Sequence, residues 1–284
     1  MPFFPQSRYQ CGPAALATTL WHSGVDVDAE ALAPAVYLPA REGSLQPELL
    51  AAVRRHGRVP YRIPGTVDAL LEELTAGRPV LVLQNQGFAA LPRWHYAVVV
   101  AYDAHRGQWV LRSGTEGRRR ESHALFLLGW SRAERWAIVT ARPGELPATV
   151  TPDEALRALA DAEGLLRPEA ALAAWETSLS RWPDHGDIRF ATANAARRAG
   201  RDGRAATLYR QLLDQRPAHL AARNNYADLL LARGCHHRAS TVIAPALEQS
   251  PASPGLGAAL RDTARAISRA AASAPAISPC PLGD

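Results

Sequence analysis

Two short stretches carry residue types that could do covalent chemistry together: Gln6-Ser7-Arg8-Tyr9-Gln10-Cys11-Gly12-Pro13 and Trp94-His95-Tyr96-Ala97-Val98-Val99-Val100. In the first, a cysteine stands where a loop turns into a helix, because Gly12 and Pro13 suit the turn and the first helical position and Ala14 to Ala17 continue it. A thiol at a helix N-terminus is easier to ionise, since unpaired N–H groups and the helix dipole favour negative charge there. In the second, a histidine opens an apolar, β-branched run that reads as a buried strand. Such a pair is the minimum for thiolate chemistry: the imidazole takes the thiol proton and returns it to a leaving group. The competing reading of Cys11 is a buried structural thiol, the usual fate of a free cysteine.

The elements that must position this pair are legible from pattern. The Cys11 helix should run to about His22, where Ser23-Gly24 ends it, and Asp28 to Leu32 reads as a short second helix. Ser44 is the expected cap of a third helix, with Pro47 in its first turn and its end near His56; Thr66 to Thr75 makes a fourth. Val59 to Arg62 reads as a short extended piece, and strands are expected at Pro79–Gln84, His95–Tyr102, Gln108–Leu111 and Trp136–Thr140. Helices first and an antiparallel meander afterwards imply an α+β domain with the Cys11 helix packed on the sheet.

A composition break at 141–147 marks a linker, placed at 143–150. Beyond it strand signals stop and a repeat begins. Pro183, Pro217 and Pro251 recur every 34 residues; Ala171, Ala205 and Ala239 keep the same register, each followed four residues later by Trp175, Tyr209 or Ile243. A period of 34 with a small residue at the helix crossing and proline at the unit end resembles tetratricopeptide repeats, helical hairpins that stack into a solenoid. Three repeats are expected over about 152–253, a capping helix over 255–271, and a disordered Ser/Ala/Pro-rich tail over 272–284.

Bulk properties narrow the function. The chain has 284 residues, 47% apolar and 21% charged, enough for two globular domains. All 32 basic residues are arginine, scattered except for Arg118-Arg119-Arg120, and the net charge of +5 with no interleaved aromatics gives no nucleic-acid footprint. Cys11, Cys235 and Cys280 lie far apart without metal-ligand spacing, so neither a disulfide framework nor a zinc site is expected, and Cys235-His236-His237 reads as a solvated turn. No apolar run is long enough to span a bilayer. The start Met1-Pro2-Phe3-Phe4-Pro5 lacks the features of a signal peptide, which implies a cytoplasmic protein unless a leader precedes it. No GxxxxGK[ST] loop occurs, so no nucleotide is expected.

The Gln6-to-Leu16 stretch followed by His95-Tyr96-Ala97-Val98-Val99-Val100-Ala101-Tyr102-Asp103 resembles the C39-type cysteine peptidases, papain-like domains, over roughly residues 1–140. The appended repeats resemble a bacterial subgroup in which such a domain carries them. The resemblance implies a papain-like domain over 1–142 and an all-α tetratricopeptide solenoid over 151–271. It makes Cys11 the nucleophile, His95 the general base and acid, and Gln6 the side-chain donor that completes an oxyanion hole with the Cys11 N–H, a donor worth about 3 kcal/mol in the barrier. Family members carry an aspartate on the strand after the histidine to orient the imidazole, and here Ser113 occupies that slot. An uncharged hydroxyl stabilises imidazolium poorly. Asp103 would lie about 25 Å from His95 along one strand, out of reach. Gln84, Asn85 and Gln86 read as a polar loop or as a substitute orienter, and Trp94 as a water shield or a packing residue. The implied activity is hydrolysis of a peptide bond through a thioester, without cofactor or metal, on a peptide or protein that the repeats help recruit. The rival readings are an inactive peptide-binding adaptor and an amidase or transpeptidase.

Overall fold

A computed structural model describes residues 3–4, 11–88, 90–249, 253–273 and 280–282. The chain divides into two compact units, Met1–Arg167 and Pro168–Asp284.

The first unit is an antiparallel sheet between two sets of helices. Its helices before the sheet are α1 (Cys11–His22), α2 (Ala29–Val36) and α3 (Gln46–Arg55), followed by β1 (Val59–Arg62) and α4 (Val67–Thr75). The strands β2 (Val80–Asn85), β3 (Trp94–Asp103), β4 (Gln108–Ser113) and β5 (Glu116–Ser122) form a meander; α5 (His123–Ser131), β6 (Ala137–Ala141) and α6 (Pro152–Ala162) complete the unit. The sheet order is β1-β6-β2-β3-β4-β5, so β6 returns to lie between β1 and β2.

Period-two alternation divides the sheet's side chains between two cores. Leu81, Leu83, Tyr96, Val98 and Ile138 pack with Leu16 and Leu20 of α1 and with α2 and α3. Val80, Val82, Ala97, Val99, Trp109 and Leu111 pack on the other side with Leu70 of α4 and with Phe126 and Trp130 of α5. Burial on both faces explains why β2 is apolar throughout its first four residues.

Several elements depart from expectation. α2 runs on to Val36, through Pro34, from an Asp28 cap that accepts from Ala31 N. Ser44 does not cap α3: Leu45 is at that position without a side-chain bond, and Ser44 Oγ is buried without a partner among the described residues. β5 and α5 were not expected at all. The segment 142–151 is tethered within the first unit, since Thr149 donates from both N and Oγ to the fully buried Glu73, each at 2.7 Å. α6 packs on β1, and its Asp161 pairs with Arg54 of α3 at 2.7 Å. The first unit thus extends past the expected linker.

The second unit is helical: α7 (Pro168–Arg181), α8 (Gly186–Arg198), α9 (Asp202–Gln215), α10 (Leu220–Ala232), α11 (His236–Leu247) and α12 (Pro254–Ser273). Helix starts recur with the sequence period. α6, α8, α10 and α12 begin at 152, 186, 220 and 254, and α7, α9 and α11 at 168, 202 and 236, a step of 34 in both series. Ala171, Ala205 and Ala239 are buried, as are Trp175, Tyr209 and Ile243. His185 and His219 cap α8 and α10 through Nδ1, and Arg189 and Arg223, likewise 34 apart, donate to the carbonyls of Pro183 and Pro217. Pro251 lies outside the described residues, as do 274–279 and 283–284 of the tail expected over 272–284, whereas Ala272 and Ser273 close α12. Cys235 is not in a solvated turn: it is buried and joined to Cys280 in a disulfide across 45 residues of sequence. Folding back of the chain end onto α11 brings together two cysteines whose spacing gave no sign of pairing.

Candidate active site

Cys11 opens α1, and the chain fits there because of the residue after it. A Cβ at Gly12 would fall 2.2 Å from Ser44 Oγ and 2.6 Å from Ser44 Cβ, so only glycine lets the helix start lie against this segment. The sulfur is partly exposed and packs at the margin of the first core. Three backbone N–H groups, those of Tyr96, Gly12 and Cys11 itself, favour its thiolate, yet burial outweighs them and pushes the thiol above its ordinary 9.0. The ease of ionisation expected of a helix start is therefore reversed by desolvation.

His95 sits at the start of β3, opposite Gln84 in the register. Its Nε2 lies 2.6 Å from Oγ of the buried Ser113 at the end of β4. Nδ1 has no hydrogen-bond partner among the described residues. Burial chiefly, and then the positive charges of Arg119 and Arg93, lower His95 from its ordinary 6.5 to about 4. No described hydrogen bond joins Cys11 Sγ to His95. By the two-residue period His95 shares the parity of Ala97 and Val99, whereas the backbone N–H of the intervening residue, Tyr96, is what meets the sulfur.

The two residues are linked through a shared neighbour. A shallow cleft is lined by Phe3, Phe4, Cys11, Tyr96, Arg112 and Ser113, among others. Ser113 thus faces the thiol's cleft while bonding the imidazole. Gln6 lies outside the described residues. Trp94 is 54% exposed rather than packed in the core. Gln84 and Asn85 are buried in β2 rather than in a polar loop: Gln84 Nε2 donates to the buried Glu121 carboxylate at 3.1 Å, and Asn85 Oδ1 accepts from Gly87 N and Arg93 N. Asp103 lies at the far end of β3, paired with Arg120 at 3.0 Å. No group of three His, Cys, Asp or Glu placed to hold a metal occurs among the described residues.

Sequence reasoning missed the Tyr96 N–H, Arg112 and Glu121. Arg112 had a signal: it alternates with Leu111, opposes Val98, and therefore takes the α1 side of the sheet. Glu121 had none, since it follows three arginines in a polar run.

An α+β domain with an antiparallel sheet and a thiol at a helix start is the arrangement in hand. Residues 1–134 match the model of the Peptidase_C39 like family. Among solved structures, the chain is similar to a C39-like peptidase of Bacillus anthracis (17% identity, TM-score 0.42, covering 50% of this chain and 94% of that one). It is also similar to the peptidase domain of Streptococcus ComA, a bifunctional ABC transporter involved in quorum sensing (21% identity, TM-score 0.39, covering 49% and 96%). No curated protein matches it. No helix among the described residues is long and apolar enough to cross a membrane.

Proposed function

We propose that the first unit is a cysteine peptidase in which Cys11 is the nucleophile and His95 the general base and acid. The observation that carries this reading is the Cys11 sulfur at the start of α1, in a cleft also lined by Ser113, the hydroxyl that engages His95 Nε2. With Nε2–H donating to Ser113, Nδ1 is the free lone pair. As sulfur attacks the peptide carbonyl carbon, the thiol proton passes to Nδ1, and collapse of the tetrahedral intermediate expels the amine, which takes that proton. Water then attacks the thioester, giving a proton to His95; the carboxylic acid departs, and the sulfur recovers the proton. The Cys11 N–H and the Gln6 side-chain amide are assigned to the oxyanion. Because burial favours the neutral forms of both groups, the proton moves during attack, and no resting thiolate–imidazolium pair is required.

The helices of the second unit, α7 to α12, are read as the tetratricopeptide solenoid expected over 151–271, which recruits a peptide or protein partner. Its support is the 34-residue recurrence of helix starts and buried alanines. Recruitment raises the partner's effective concentration at the cleft.

The test is digestion of a peptide library, with products identified by mass. Wild type should cut, Cys11→Ala and His95→Gln should not, and Gln6→Ala should lose about 10²-fold or more in kcat. Cleavage that survives Cys11→Ala overturns the assignment. The pH profile of kcat/KM should rise through about 4 as His95 loses its proton.

One observation favours a second reading, a peptide-binding adaptor without turnover: the thiol is held protonated and its orienting group carries no charge. Both readings keep the thiol protonated at rest, so turnover separates the two: binding of library peptides with no cleavage of any of them selects the adaptor.

A further inference from the structure

Arg112 lines the cleft beside Cys11, and its Nε is buried without a partner among the described residues. Its charge is not alone. Arg118 on β5 is near enough to disfavour it, as Arg119 and Arg93 disfavour protonation of His95. None of these four arginines has an ion pair or side-chain hydrogen bond among the described residues. The carboxylates of the region do not answer them: Glu121 is bound to Gln84, Asp103 to Arg120 and Arg106, and Glu48 and the exposed Glu116 pair with none of the four.

A half-buried guanidinium is costly to leave unpaired, and like charges around it add to the cost. Its planar fork fits a carboxylate bidentately. On the peptidase reading above, we infer that the cleft takes an acidic peptide, with a carboxylate of the substrate seated on Arg112 beside the scissile bond. Arg93, Arg118 and Arg119 supply the surrounding positive field. That carboxylate is either an Asp or Glu side chain or the peptide's own C-terminus, the chemistry being the same.

The probe is a pair of fluorescein-labelled peptides identical except that Glu residues in one are Gln in the other, each made with a free and an amidated C-terminus. Binding is read by anisotropy on the full chain carrying Cys11→Ala, so that nothing is cut. The Glu peptide should bind about tenfold tighter, the size of one charge-assisted contact, and the preference should shrink with added salt. If the free-acid form of the Gln peptide shows the same gain over its amide, the terminal carboxylate is the group seated. Arg112→Gln should abolish the preference, Arg112→Lys should keep part of it, and Arg118→Gln should weaken it. Arg261→Gln, which removes the same charge from an exposed site in α12, should leave it unchanged. Equal binding of all four peptides, or a preference untouched by Arg112→Gln in a variant with an unaltered melt, overturns the inference. If the preference holds but the protein with Cys11 intact cuts none of the peptides, the anion site stands and the peptidase reading falls. If it cuts all four with equal kcat/KM, only the anion site falls.

Discussion

His95 is held neutral by its surroundings, and that has a consequence for stability. Its protonation is disfavoured by burial first and by Arg119 and Arg93 second, so its folded value of about 4 lies below the ordinary 6.5. Between those values the unfolded chain binds the proton and the folded chain does not. Stability from this residue is therefore complete above about pH 6.5 and is lost as the pH falls toward 4, by at most about 3 kcal/mol. Urea midpoints at pH 7 and 4.5 should drop more steeply for wild type than for His95→Gln, which has no such proton to bind; parallel slopes would refute the shift. At this scale the sequence was informative where chemistry follows local position. Cys11 does open a helix, and Ser113 does reach His95. It was uninformative where the decisive group comes from another strand: the Tyr96 N–H on the sulfur and the burial that reverses its acidity are tertiary facts, invisible in the Cys-Gly-Pro stretch.

At the scale of elements, the seating of α1 decides where the sulfur lies. Gly12 is needed for space rather than for an unusual backbone angle, as Ser44 stands where its Cβ would go. Gly12→Ala should destabilise the protein by about 1–3 kcal/mol through overpacking, measured by urea denaturation, and adding Ser44→Gly should restore most of it. A double variant as unstable as the single one would place the strain elsewhere. The helices of this unit were readable because their caps and apolar spacing are local, Thr66 on α4 being one such cap. β5 was not, because it is a polar edge strand, Glu-Gly-Arg-Arg-Arg-Glu-Ser, in which only Glu121 is buried, so alternation of apolar residues is missing. α5 escaped for the opposite reason: His-Ala-Leu-Phe-Leu-Leu-Gly-Trp-Ser is apolar nearly all round, and periodicity cannot separate such a run from a strand.

At the scale of the molecule, two kinds of order coexist. The first unit is built from long-range strand pairing, which pattern reading recovers only in part. The second repeats a local unit, which is why its period was plain in Pro183, Pro217 and the buried alanines before any contact was known. The disulfide lies outside that repetition. Cys235 stands just before the start of α11, and Arg238 of that helix donates to both Cys280 Sγ and the Tyr226 hydroxyl, so the chain's last described residues are held to α10 and α11. Closing a 45-residue loop constrains the unfolded chain by about 4 kcal/mol in the chain-entropy model. Reduction should therefore speed hydrogen exchange in α11 and α12, where the bond's constraint acts, and leave the β2–β3 amides unchanged. Cys280→Ser should reproduce the effect and abolish any further response to reductant. Alkylation gives the matching chemical readout: the unreduced denatured chain should take one label, on Cys11, and the reduced chain three. Three labels without reductant would show that the two sulfurs are not joined, and the constraint on α11 and α12 would then have to come from helix packing.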